Sequence, residues 1–227
     1  MWYWFFKFVG VGPIAWWYFR MRWTGRENIP RTGPVILAAN HVNFLDPVGV
    51  SMGAPRKVVY AAKSKYYAGR GIGGRLLGWF LRAIGQLPID PESAKTADPA
   101  LAAARDLLEA GGVVAIFPEG TRSPDGRLHR GHTGVARVAL PREVPIVPVG
   151  VLGTRGLTVK GKLLPRRGHI RIAYGTPLDL TPWRGRADDP AAWREVTDEL
   201  MRRIQELTGQ EYVDRYPTRA ETDSRDA

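Results

Sequence analysis

A chain of 227 residues with 44% hydrophobic and 24% charged residues is ordinary for one large globular domain and long enough to bury a core. Its 33 Lys+Arg against 22 Asp+Glu leave a net charge of +11, which favours polyanionic partners: nucleic acid, an anionic membrane surface or a phosphorylated substrate. The lack of cysteine excludes disulfides, thiolate catalysis and cysteine-bound zinc, and the four histidines (His41, His129, His132, His169) are too few for a multi-histidine metal centre, so no metal is expected.

The first 23 residues hold eleven aromatic side chains, from Trp2 and Tyr3 through Trp16 and Trp17 to Trp23. They show none of the basic start, aliphatic centre and cleavage site of a secretory signal. A single membrane span needs about 20 apolar residues, but Lys7 and the Gly10-Val11-Gly12-Pro13 break interrupt this segment. Trp and Tyr also favour the membrane–water boundary. The reading is two short helices on either side of the break, lying in the interface, with Arg20, Arg22 and Arg26 at lipid headgroups. A helix buried against the domain is the alternative.

Residues 24–34 read as a connector rich in turn residues. Val35-Ile36-Leu37-Ala38-Ala39 is a continuous apolar run, as expected of a strand covered on both faces. It ends in Asn40-His41-Val42-Asn43-Phe44-Leu45-Asp46, after which residues 47–52 open a helix. Residues 57–62 form a second strand, residues 72–84 an amphipathic helix and residues 87–89 a short strand. Asp98-Pro99 starts a helix that Gly111 ends. Val113-Val114-Ala115-Ile116 is the second continuous apolar run, and Phe117-Pro118-Glu119-Gly120-Thr121-Arg122-Ser123 follows it.

Beyond it come a polar loop over 124–133, a short helix over 134–140, strands over 145–151 and 169–174, and an amphipathic helix over 191–207. The tail from Pro217 is polar and expected to be disordered. The class is α/β: a single mixed, largely parallel sheet flanked by helices, with an N-terminal aromatic membrane-contacting helical segment. The expected organisation is an interface segment over 1–23, a catalytic domain over 24–216 and a tail over 217–227.

Polar residues just past the carboxyl ends of buried strands are where open α/β sheets place ligands. His41 is a candidate base and Asp46 its orienting carboxylate. No serine or cysteine stands between them, which suits direct activation of a substrate hydroxyl. The same spacing also arises when a histidine satisfies a turn and an aspartate caps the next helix. The second loop shifts the balance. Arg122 offers a planar fork to phosphate oxygens, Gly120 a close backbone approach, Thr121 a hydroxyl, and Glu119 a partner for Arg122 or for a substrate hydroxyl. Two acid-free basic stretches, residues 47–89 and 144–178, flank these loops.

Asn40-His41-…-Asp46 and Phe117-Pro118-Glu119-Gly120-Thr121-Arg122-Ser123 resemble the first and third signature blocks of the glycerolipid acyltransferase family. Lys63 after the second strand, Arg130-Gly131-His132-Thr133-Gly134 and Val144-Pro145-Ile146-Val147-Pro148-Val149 extend the likeness, so that it spans residues 33–151. The resemblance implies acyl transfer from a thioester, acyl-CoA or acyl carrier protein, to the hydroxyl of a lysophospholipid, with no cofactor. His41 would then be the general base and Asp46 its partner. Arg122 would bind the acceptor phosphate in a pocket shaped by Glu119, Gly120 and Thr121, and Lys63 and Arg130 would serve that phosphate or the donor's.

One departure stands out: Pro91 follows Asp90 where the family commonly has an arginine, leaving Arg82, Arg75 or Lys95 as replacements. Lysophosphatidic acid is the favoured acceptor, with other lyso-lipids and glycerol phosphate as alternatives. A non-catalytic basic protein of membranes or nucleic acid is the rival class. Aromatics gathered at the N-terminus, not interleaved with basic residues on a sheet face, point to lipid and away from nucleic acid. The expected location is the cytoplasmic side of the cell membrane, held peripherally or monotopically.

Overall fold

The centre of the molecule is β2 (Val35–Ala39), buried along its whole length, and its alternate side chains divide between two cores. Val35, Leu37 and Ala39 join one cluster, Ile36 and Ala38 the other. A strand with both faces covered has no polar face, hence the unbroken apolar run. The neighbouring β5 (Val113–Ile116) divides the same way, with Val113 and Ala115 on one side and Val114 and Ile116 on the other. The computed structural model describes residues 2–63, 75, 87–89, 99–158 and 165–217. The expected helix over 72–84 and the tail beyond 217 lie outside these residues, apart from position 75, which is helical.

Among the described residues seven strands form the main sheet in the order β1-β8-β7-β2-β5-β3-β4, where β1 is Arg22–Thr24, β3 Val58–Lys63, β4 Leu87–Ile89, β7 Ile146–Leu152 and β8 Arg171–Tyr174. β7, β2, β5, β3 and β4 run parallel, whereas β8 is antiparallel to β7 and carries β1 parallel to itself. The sheet is therefore mixed and mostly parallel. β6 (Leu128–His129) and β9 (Tyr212–Val213) make a separate two-stranded ladder.

The connections decide where a ligand can sit. β2 leads into α3 (Asp46–Gly53), whose Val50 belongs to the first core. β5 leads towards α5 (Gly134–Ala139), which packs in the second core with α4 (Pro99–Glu109) and α6 (Pro190–Thr208). Neighbouring parallel strands thus send their carboxyl-terminal loops to opposite faces of the sheet. A divergence of this kind, just beyond the carboxyl ends of parallel strands, is where open α/β sheets usually place their ligands.

The N-terminal segment departs from the two-helix expectation. α1 (Trp2–Phe5), a π-helical turn (Phe6–Gly10) and α2 (Val11–Trp17) follow one another without a break. The wider π turn absorbs Pro13, whose ring would otherwise clash with the carbonyl four residues earlier. Tyr3, Ala15 and Phe19 are buried, while Trp2, Phe5, Phe8, Val9 and Ile14 are about half exposed or more. Trp16 and Trp17 are 74% and 72% exposed. One side docks on the domain and the other offers a continuous aromatic face. No helix among the described residues is long and apolar enough to cross a membrane.

Lys7 does not interrupt this helix; it latches it. The side chain is buried, and its Nζ donates to the carbonyls of Ser51 at 2.9 Å and Ala54 at 2.5 Å. These carbonyls belong to the last turn of α3, where a cation complements the helix dipole. Arg26 joins it, its Nε donating to Gly53 O at 2.7 Å, although the residue as a whole is exposed, as are Arg20 and Arg22. Part of the expected connector is also a strand: β1 ends at Thr24 on the sheet edge.

Candidate active site

β2 and β5 pair in register from Val35↔Val113 to Ala38↔Ile116, so the loops over 40–46 and 117–123 leave one sheet edge about 4.8 Å apart. Direct bonds then tie the loops together. The His41 amide donates to Glu119 Oε1 at 2.9 Å, and the Ser123 amide donates to the His41 carbonyl at 2.7 Å. Arg122 adjoins Ser123, the residue whose amide holds the His41 carbonyl.

Asp46 opens α3 and is buried. Its Oδ2 accepts from the amides of Val42 at 2.6 Å and Asn43 at 2.7 Å and lies 3.0 Å from His41 Nδ1. Two amides orient the carboxylate, and the carboxylate fixes the ring. With Nδ1–H directed at Asp46, Nε2 carries the lone pair and is the basic atom. The His41 side chain is 17% exposed, whereas Asp46 behind it is 1% exposed.

Phe117 stacks on the His41 ring, centroids 4.0 Å apart and planes 19° from parallel, and Tyr60 lies beyond it at 5.8 Å. The imidazole is thus clamped on its face as well as at its edge. Neither Phe117 nor Asn40 has a role that follows from the sequence pattern alone. Asn40 is fully buried, with Oδ1 accepting from the Val151 amide at 2.7 Å and Nδ2 donating to the Val151 carbonyl at 2.9 Å. Its side chain imitates a strand partner for β7 and fixes the backbone just ahead of His41. The signal was the buried amide beside the histidine, but its partner stands too far along the chain to be named from spacing.

Glu119 is 1% exposed, and its other oxygen, Oε2, accepts from the His129 amide at 3.0 Å. It ties the His41 loop to β6. Burial pushes its carboxyl up to about 7, against the two amide hydrogen bonds and with Asp46 and Asp125 adding to the rise. Gly120 adopts φ +72°, and a Cβ there would meet His132 at 3.0 Å, so the turn requires glycine. Thr121 and Arg122 are half-buried. Ser123 cannot replace the missing nucleophile: it is fully buried, and its hydroxyl lies 2.7 Å from the Arg127 carbonyl.

Arg130 lies 3.4 Å from Asp214 and over the Tyr216 ring, and its amide donates to the carbonyls of Val213 and Arg215. Lys63 ends β3, and its side chain lies outside the described residues, as do Arg82, Asp90, Pro91 and Lys95. His129 is fully buried and lies 3.0 Å from Asp125 through Nε2, while His132 stacks on Tyr216.

The model of the Acyltransferase family matches residues 20–152. The 1-acyl-sn-glycerol-3-phosphate acyltransferase of Bacillus subtilis is 30% identical over 191 residues, which is 80% of this chain and 85% of that protein. A chloroplastic 1-acyl-sn-glycerol-3-phosphate acyltransferase of Arabidopsis thaliana is 27% identical over 169 residues, 71% of this chain and 44% of its own length. Its Brassica napus counterpart is matched over 46% of its length, so the chain spans about half the length of these plant relatives. The crystal structure of the 1-acyl-sn-glycerophosphate acyltransferase from Thermotoga maritima superposes with a TM-score of 0.67 at 25% identity, covering 88% of this chain and 77% of that one.

Proposed function

The chain belongs to the acyltransferase family, a family of phospholipid biosynthesis, and from that premise we propose that it moves an acyl chain from acyl-CoA or acyl carrier protein to the free hydroxyl of lysophosphatidic acid, giving phosphatidic acid. The observation that carries the reading is the His41–Asp46 contact of 3.0 Å, clamped by Phe117 and bonded to the 117–123 loop at one sheet edge. His41 Nε2 takes the proton of the acceptor hydroxyl as that oxygen bonds to the thioester carbonyl carbon. The tetrahedral adduct then breaks its C–S bond, and the imidazolium returns the proton to the departing thiolate. No covalent enzyme intermediate is needed.

Arg122, with Gly120 and Thr121 beside it, receives the acceptor phosphate in this reading, and Lys63 and Arg130 are secondary cations for the donor or acceptor phosphates. Glu119 acts from behind the pocket by holding the His41 loop. The aromatic face of α1 and α2 docks on the cytoplasmic side of the cell membrane, where it meets the lipid acceptor. Arg167 supports it by stacking on Trp17 at 4.8 Å and Tyr18 at 5.5 Å, which sets a cation among the interfacial rings.

The test is an acceptor panel. Purified protein given labelled acyl-CoA is expected to acylate lysophosphatidic acid faster than uncharged monoacylglycerol or lysophosphatidylcholine. Arg122→Ala is expected to erase that preference by raising KM for lysophosphatidic acid. Equal losses on acceptors with and without phosphate would contradict the role given to Arg122.

A further inference from the structure

α6 ends at Gly209, whose φ of +67° turns the chain back across the site. The returning segment, residues 209–217, lies beyond the stretch matched by the family model. It pairs with β6 through Leu128↔Tyr212 and His129↔Val213, and the Leu128 amide donates to the Glu211 carbonyl at 2.9 Å. Tyr216 stacks on His132 at 4.4 Å, and His132 in turn borders Gly120. The C-terminal segment is thus strapped along the whole loop that follows Arg122.

Gln210, just after Gly209 in this strap, is bonded to both loops. Its Oε1 accepts from Asn40 Nδ2 at 2.9 Å, and its Nε2 donates to the Gly126 carbonyl at 2.7 Å. Its own backbone is held, the carbonyl accepting from Gln205 Nε2 at 3.2 Å. Asn40 immediately precedes His41, and Gly126 belongs to the loop that Ser123 begins, the Gly126 amide donating to Ser123 Oγ at 2.9 Å. The loops after β2 and β5 depart to opposite faces, and beyond the ladder they are joined directly by the His41 amide to Glu119 and by the Ser123 amide to the His41 carbonyl. A third element bonded to both adds a further restraint on their spacing.

We propose that Gln210 is a positioning residue for the acyltransferase reaction, setting the spacing between the His41 loop and the 117–130 loop through Asn40 and Gly126. The inference rests on the function proposed above. Gln210 touches no substrate; it acts by holding Asn40, hence His41, against the loop that carries Arg122. Displacing a general base by about 1 Å costs up to roughly a hundredfold in rate, whereas a merely structural bond costs only stability.

The experiment compares wild type, Gln210→Ala, Gln210→Met and Glu211→Ala. Methionine keeps the length of glutamine and removes both hydrogen bonds. Glu211→Ala breaks an exposed ion pair to Arg127 in the same strap and serves as the control. Both Gln210 variants are expected to lose roughly ten- to a hundredfold in kcat, with KM for the acceptor little changed. Amide exchange over residues 40–46 is expected to rise in both variants below their melting temperature and to stay unchanged in Glu211→Ala. Wild-type kcat and unaltered exchange in Gln210→Met would overturn the proposal. The exchange measurement needs no turnover, so it judges the clasp even if the wild-type protein transfers no acyl group and the functional reading fails.

Discussion

The backbone amide of His41 donates to the buried carboxylate of Glu119 at 2.9 Å, and the second oxygen of that carboxylate accepts from the amide of His129 at 3.0 Å. One side chain therefore joins His41 to β6. Glu119→Gln replaces one acceptor oxygen with an NH2 group that faces an N–H. A buried donor left unmade costs about 1–3 kcal/mol. The expected outcome is a folded, destabilised protein with kcat reduced about tenfold or more, read by steady-state kinetics beside denaturant melts.

The same carboxylate sets a pH dependence. Its carboxyl is raised by burial from 4.5 to about 7 in the folded protein. Between those values the folded state holds a proton that the unfolded chain has released. The stabilising contribution of the group is therefore full below about pH 4.5 and is lost as pH rises to about 7. Melts of wild type from pH 5 to 7.5 should carry this falling component, and melts of Glu119→Gln should lack it.

Lys7 predicts a slope of opposite sign. Its amine is lowered from 10.5 to about 8 by burial, with Arg26 adding to the shift. Over that window the unfolded chain is protonated and the folded one is not, so this group makes the protein more stable as pH rises from 8 to 10.5. Lys7→Met should remove the slope. It should also lower stability at pH 7, because the Ser51 and Ala54 carbonyls at the end of α3 lose their donor.

Phe117→Leu keeps an apolar side chain but removes the plate on which the imidazole lies at 4.0 Å. Aromatic pairs contribute about 0.5–1.5 kcal/mol beyond their buried area, so the stability loss should be modest. The fall in kcat should be larger than the melting shift suggests, because the ring loses one of its two restraints. A kcat equal to wild type would show that Asp46 alone orients His41.

For the membrane face, the double variant Trp16→Ser, Trp17→Ser should fold normally, since both rings are exposed by more than two thirds. Its sedimentation with vesicles containing anionic phospholipid should fall sharply, and oligonucleotide binding should be absent in both proteins. Unchanged vesicle binding would remove the docking role of α2.

How much of this was legible in the sequence depended on how local each cause is. The buried strands β2 and β5 announce themselves because both faces are covered, which leaves four or five apolar residues in a row. Their loops follow by position, so the convergence of His41 with the 117–123 segment was foreseeable. β1 was missed because Arg22-Trp23-Thr24 is a three-residue edge strand without an apolar run. The β6–β9 ladder was missed because two-residue strands carry no period. Glu119 read as a ligand for substrate or arginine because nothing nearby reveals that amides at 41 and 129 claim both its oxygens. The N-terminal break was expected from Gly10 to Pro13, where a π turn lets the helix continue.

The direct test of the central claim is the initial rate of acyl transfer from labelled acyl-CoA to lysophosphatidic acid by wild type and by His41→Ala of matched circular dichroism. The account predicts product formation by wild type and a loss of about 10²–10⁴ in the variant, the usual contribution of a general base. A His41→Ala protein that retains the wild-type rate would contradict it.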